Sequence, residues 1–193
     1  MQYLFGNGFY QFEGYSQQVP KQVEDLIALT QTPNINVMEI GFNAGHSAEV
    51  FLKNNTTLRL TSFDLGSHSY VPVAKKYIDK LFPERHTLIL GDSTVSVPNY
   101  VNDNNTKKFD IIFIDGGHDY DTARTDLENC MKLSHKDTIV ILDDTTYTLG
   151  FESESTIGPT KAWLENLFNN TITEINKKDY MPGRGMSWGK YNF

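Results

Sequence analysis

Five short apolar runs, NVMEIG, LRLTSFD, HTLILGD, FDIIFID and TIVILDD, each end in Gly or Asp. They are rich in Ile, Leu, Val and Phe, too short for helices, and alternate with segments of helical periodicity. That alternation predicts a parallel α/β sheet rather than a sandwich or a bundle, with polar function gathered at the carboxyl ends of buried strands. At 193 residues the chain is expected to form one domain, 1–193. Hydrophobic residues make up 39%, enough for a core, and 21% charged residues are too few for a disordered chain. Seventeen basic against 24 acidic residues give a net charge of −7, which argues against nucleic acid or an anionic membrane surface as partner.

Between the runs, Pro20 opens a helix with Val23, Leu26 and Ile27 on one face. Further helices are expected from about Gly45 to Lys53, Val73 to Leu81 and Tyr120 to Leu133. In the last of these, Tyr120, Ala123, Leu127, Cys130 and Met131 fall on one face, which makes the lone cysteine a small buried hydrophobe. After the fifth run the chain reads as a polar, Gly-containing loop and a short helix. TITEI and GMSWGKYNF then form a hairpin around Pro182 and Gly183, and NDNNTKK reads as a solvated loop. Asn54, Asn55, Asn104 and Asn169 sit in Asn-x-Thr patterns, but the first residues lack the basic head and apolar run of a signal peptide, so a cytoplasmic location is expected. No stretch approaches the roughly 18 apolar residues of a membrane span.

The first strand runs into EIGFNAGHS, which sets Gly41 and Gly45 at a strand-to-helix turn where backbone can approach a ligand and a helix N-terminus favours an anion. A dinucleotide fingerprint would need Gly two residues after Gly41, where Asn43 stands, and this disfavours a nicotinamide oxidoreductase. Asp64 ends the second run, where a carboxylate can accept from both hydroxyls of a ribose. Asp92 and Ser93 end the third, where they can meet an adenine. A Gly loop followed by acids at the next two strand ends describes an adenosine pocket.

The ordered series EIGFNAG, SFDLG, LILGDS, FDIIFIDGGHDY and IVILDDT resembles the motifs of class I S-adenosylmethionine-dependent methyltransferases. IDGGHDYDTARTDLENCMKL followed by VILDDT is similar to the small O-methyltransferase branch that includes catechol and antibiotic-sugar enzymes. The likeness spans about residues 17–145, and GMSWGKYNF is similar to the last hairpin of that fold. The resemblance implies a Rossmann-like doubly wound sheet of seven strands, mostly parallel, with a C-terminal antiparallel hairpin. It implies S-adenosyl-L-methionine as cofactor, with Glu39, Gly41, Asn43, Gly45 and Ser47 lining its methionine end, Asp64 on the ribose, and Asp92 and Ser93 at the adenine.

In such a sheet the fourth and fifth strands are neighbours, so Asp115, Asp143 and Asp144 would converge near the transferred methyl group. Like charges so placed raise one another's pKa unless a cation lies among them, and a hard divalent ion such as Mg2+ suits oxygen ligands. The metal-dependent relatives commonly carry Asp, Asp and Asn; here Asp144 takes the Asn position. His118, three residues after Asp115, stands where catechol-type relatives carry a catalytic lysine, and an imidazole can take a hydroxyl proton near neutral pH. A cofactor contact is the other role open to it. The expected activity is O-methylation of a small hydroxyl acceptor such as a sugar, catechol or other vicinal diol, with metal assistance. A metal-independent enzyme and an inactive cofactor-binding module are the alternatives. Acceptor choice falls to residues 15–18, 145–158 and 181–188, and the oligomeric state stays open, a closed homo-oligomer being common among small enzymes.

Overall fold

The computed structural model describes residues 2–13, 19–103 and 107–193. The five runs form strands β1 (Asn36–Ile40), β2 (Arg59–Asp64), β3 (His86–Leu90), β4 (Phe109–Ile114) and β5 (Ser134–Asp143), and the hairpin forms β6 (Ile172–Met181) and β7 (Arg184–Tyr191). All seven lie in one sheet of order β3-β2-β1-β4-β5-β7-β6, in which β7 pairs antiparallel with both β5 and β6. The remaining pairs are parallel. The strand order therefore reverses between β1 and β4, and in doubly wound sheets that switch point opens a crevice at the carboxyl ends.

The helices are α1 (Gln2–Gly6), α2 (Pro20–Leu29), α3 (His46–Asn54), α4 (Val71–Leu81), α5 (Ser93–Asp103), α6 (Tyr120–Met131) and α7 (Glu154–Phe168). Period-two alternation along the strands feeds two apolar layers. On β4, Ile111 and Phe113 pack with residues of α2, α3 and α4, whereas Ile112 and Ile114 pack with those of α5, α6 and α7; Phe109 joins the second layer out of alternation, beyond the register shift that separates it from Ile111. Central strands buried on both faces explain why the runs read as continuously apolar. Among the described residues no helix is long and apolar enough to cross a membrane.

Several elements depart from the sequence expectation: helix α1 was not anticipated, and β5 starts four residues before the TIVILDD run. Helix α5 was not anticipated, because Pro98 and β-branched residues mask its weak periodicity; it is started by Asp92, whose Oδ1 accepts from Thr94 N–H at 2.9 Å. Asn102 and Asp103, read as part of a solvated loop, close this helix, and the rest of that loop up to Thr106 lies outside the described residues. Helix α7 is 15 residues long rather than short, and β6 runs six residues beyond TITEI. Pro182 and Gly183 do form the two-residue turn between β6 and β7.

Helix α7 approaches the β4–α6 loop at Gly158. A Cβ there would stand 2.3 Å from the carbonyl oxygen of His118 and 2.7 Å from the amide nitrogen of Tyr120. In an ordinary helix interior Gly→Ala stabilises by up to about 1 kcal/mol. Here the sign reverses, because the contacted atoms are backbone. Gly158→Ala is expected to destabilise by about 2 kcal/mol, read as a lowered melting temperature in a thermal scan.

Candidate active site

A cleft of about 550 Å³ lies at the carboxyl ends of β1 to β5. The hydrogen-bond ladder continues past the strand ends and fixes its walls: Gly41 N–H donates to Phe63 O, Gly91 N–H to Asp64 O, and Asp115 N–H to Ile40 O, at 2.8 to 2.9 Å. Gly41 has φ +97°, and a Cβ there would lie 1.8 Å from the carbonyl oxygen of Asp115. Only glycine lets the β1 exit pass that close to the β4 exit.

Of the sequence-predicted residues, Gly41, Asn43, Asp64, Asp92, Ser93, Asp115, His118, Asp143 and Asp144 border the cleft. Asp64 is oriented by two backbone donors, Asn43 N–H on Oδ2 and Gly66 N–H on Oδ1, both at 2.7 Å. Each oxygen keeps a lone pair for a further donor. The Asn43 side chain is turned away, bonded to the Tyr70 hydroxyl at 2.6 Å and to the Glu13 carbonyl at 2.8 Å.

Glu39, Gly45 and Ser47 stand behind the cleft wall rather than on it. Glu39 is fully buried, and its carboxylate accepts from Ser47 Oγ at 2.5 Å and from Ser62 Oγ. Ser47 is thus spent on Glu39 and pins the first turn of α3 to β1. Burial raises the Glu39 pKa to about 7, against the pull of the two serines. Ser62 also meets Nε2 of buried His86 at 2.9 Å, and burial lowers that histidine to about 4. His46, at the start of α3, is buried, with the Phe12 ring edge-on to it.

The acid end is organised by Asp144, which is 3% exposed. His118 Nε2 lies 2.8 Å from its Oδ2, and Arg184 of β7 lies 3.6 Å from its Oδ1. Asp143 does not simply join the group: its Oδ1 accepts from Gln22 Nε2 at 2.6 Å and from Asp144 N–H at 2.9 Å. Among the described residues, the donors close enough to share one ion are accordingly Asp115, His118 and Asp144, with ligand atoms within 4.8 Å of one another. This group has His118 in the place where Asp143 was expected. Burial, then the neighbouring charges of Asp143 and Asp144, push Asp115 well above the usual carboxylate range. Burial and Asp144 likewise raise Asp143.

The sequence reading missed Gln22, His68 and Glu13. His68 pairs with Glu13 at 3.1 Å across the cleft mouth and stacks on Tyr70. Nothing in the local patterns of these residues marks them, since their roles arise from tertiary approach. Ser155, Gly183 and Arg184 do border the cleft within the two C-terminal segments assigned to the acceptor, whereas residues 15–18 lie outside the described residues.

A family model described as a methyltransferase domain matches residues 38–145, more than half of the chain and the whole of the cleft floor from β1 to β5. The chain belongs to the methyltransferase domain family. No curated protein matches it in sequence. Among solved structures, the O-methyltransferase from Bacillus cereus in complex with S-adenosylhomocysteine superposes with a TM-score of 0.73 at 19% identity, covering 90% of this chain and 81% of that one. A TDP-rhamnose 3'-O-methyltransferase of calicheamicin biosynthesis gives 0.67 at 17%, covering 92% and 80%. The N-methyltransferase NodS from Bradyrhizobium japonicum gives 0.64 at 14%, covering 90% and 96%. These likenesses establish the fold, a seven-stranded methyltransferase sheet. The family establishes a methyltransferase dependent on S-adenosylmethionine, which sets the nicotinamide reading aside. Oxygen and nitrogen acceptors share this architecture, so the atom methylated has to be argued from the site.

In this methyltransferase the hydrogen bond to Asp144 raises the His118 pKa above 6.5, against partial desolvation. A group whose folded pKa is raised is favoured in its protonated form. The pairing is therefore complete below about 6.5 and is lost as pH rises through the raised value. Histidine NMR titration should show His118 titrating above 6.5 in the wild type and at lower pH in Asp144→Asn.

Proposed function

We propose that the protein is an O-methyltransferase acting on a hydroxyl of a small molecule, with His118 as general base and Asp144 as its orienting acid. The observation that carries this reading is the 2.8 Å pair between a half-exposed imidazole at the cleft and a buried carboxylate. With Nε2–H given to Asp144, Nδ1 keeps its lone pair for the acceptor's hydroxyl proton, and Asp144 stabilises the imidazolium that forms. The two free lone pairs of Asp64 suit ribose hydroxyls. Gly41 and the turn into α3 suit the methionine end, and Asp92 with Ser93 borders the space for the adenine.

When bound, S-adenosylmethionine supplies a methyl group made electrophilic by a positively charged sulfur. The chain's own task is to hold the acceptor oxygen in line with that methyl and to remove its proton. The carboxylates of Asp115, Asp143 and Asp144 suit an uncharged polyol or phenol, or a positively charged sulfonium nearby. Ser155 and Arg184, which also border the cleft, can contact the acceptor.

A second, metal-assisted reading is favoured by the close approach of the Asp115, His118 and Asp144 donors. Two carboxylates and an imidazole fit a divalent ion, and Mg2+ held mainly by the carboxylates would lower the pKa of a vicinal diol. The two readings compete for Nε2 of His118. Methyl transfer to a panel of sugars and catechols after chelation separates them. The base reading expects activity to persist without metal, to fall on the acid side of the His118 titration, and to drop about 100-fold or more in kcat in His118→Ala. Activity lost on chelation and restored by Mg2+ would favour the metal. Full activity in His118→Ala would exclude both roles for that residue.

A further inference from the structure

Ser155, Gly183 and Arg184 border the cleft from two segments: the loop out of β5 with the first turn of α7, and the turn between β6 and β7. The carboxylate of Asp179 on β6 fastens these segments together. It accepts from two successive backbone donors of the loop. Tyr147 N–H lies 3.1 Å from Oδ1 and 3.0 Å from Oδ2, and Thr148 N–H lies 2.5 Å from Oδ2. Hydrogen bonds to an ionised acceptor are stronger than neutral ones. The hairpin is shaped for this reach. Asp179 stands opposite Gly185 of β7, beside a bulge between Asp179 and Met181, and bulges re-aim side chains. At position 185 an added Cβ would lie 2.0 Å from the carbonyl oxygen of Thr145 and 2.9 Å from Asp179 Oδ1, so the loop and the acid fill the space of a side chain. Neutral bonds flank the clamp. Thr145 N–H donates to Gly185 O at 3.2 Å, Gly183 N–H donates to Phe151 O at 2.7 Å, and the Tyr147 hydroxyl meets Ser187 Oγ at 2.7 Å.

We propose that Asp179 is a positioning residue for the methyl acceptor. It lies outside the cleft lining and acts by setting the spacing of Ser155 from Gly183 and Arg184. Arg184 also pairs with Asp144 at the head of the same loop, so loop and hairpin are joined at the cleft and again behind it. Without the carboxylate, the Tyr147 and Thr148 amides turn to water and the loop keeps only its neutral bonds. The acceptor is then held less closely in line, while Asp64, Asp92 and Ser93 at the ends of β2 and β3 are undisturbed. The inference rests on the reading proposed above, in which Ser155 and Arg184 contact the acceptor.

The test is methyl transfer by the wild type, Asp179→Ala, Asp179→Asn, Arg184→Ala and the Asp179→Ala/Arg184→Ala double variant, each below its melting transition. The acceptors are catechol, protocatechuate, methyl rhamnoside and myo-inositol, and S-adenosylhomocysteine affinity is measured alongside by calorimetry. Asp179→Ala is expected to lower kcat/KM for the acceptor about tenfold while S-adenosylhomocysteine affinity stays within about twofold. Asp179→Asn keeps one accepting oxygen and should lose only about threefold. The double variant should lose less than the product of the two single losses, because both changes act on one wall. An unchanged acceptor kcat/KM in Asp179→Ala, or equal losses for acceptor and cofactor, would overturn the proposal and leave Asp179 a merely structural role. If Asp179→Ala fails to fold, Asp179→Asn decides the matter by the same two readouts. A wild type that binds S-adenosylhomocysteine but methylates no member of the panel would instead overturn the acceptor reading, and this inference with it.

Discussion

The site depends on one close backbone passage, where the exit of β1 at Gly41 runs against the carbonyl of Asp115 at the exit of β4. Those two strands are neighbours across the switch point of the sheet. Their approach joins two halves of the cleft that come from distant parts of the chain. On one side stand Asn43 and Asp64, tied together by a backbone hydrogen bond; on the other stand Asp115 and the loop that carries His118. Any side chain at position 41 would push these halves apart. The glycine is therefore a geometric requirement for aligning cofactor and acid cluster, beyond its freedom of φ.

Gathering Asp115, Asp143 and Asp144 at the ends of adjacent strands is electrostatically costly, and the fold offsets the cost with side chains from elsewhere. Asp143 is bonded by the amide of Gln22 from α2, and Asp144 meets His118 from the β4–α6 loop and Arg184 from the hairpin. These partners do not neutralise the cluster. Asp115 stays shifted toward its protonated form, raised by burial and by the two neighbouring acids. A cleft with that balance favours uncharged or positively charged groups near the acids, consistent with a sulfonium cofactor and a hydroxyl acceptor.

Much of the architecture was legible in the sequence because it rests on local signals. The five apolar runs that end in Gly or Asp mark the parallel strands, and Pro182 with Gly183 marks the hairpin turn. Helix α5 escaped because Pro98 interrupts its pattern, and the length of α7 escaped because Gly158 and Pro159 read as loop residues. At the site, sequence order placed Asp64, Asp92, Ser93, Asp115 and His118 at the cleft. Glu39 and Ser47, expected at the methionine end, bond each other off the cleft lining. Gln22 and Arg184 act through tertiary contacts from α2 and β7, and no spacing rule connects them to the motifs they serve.

The central claim is that the strand-end acids form a cofactor cleft, with Asp64 as the ribose anchor. The most direct test is calorimetric titration of the chelator-treated protein with S-adenosylhomocysteine, comparing the wild type with Asp64→Asn. Asparagine keeps the size of the side chain but replaces one acceptor oxygen with a donor. The account predicts saturable one-to-one binding by the wild type and at least roughly tenfold weaker binding by the variant, measured below the variant's melting transition. Absence of wild-type binding, or equal affinity in the two proteins, would contradict it.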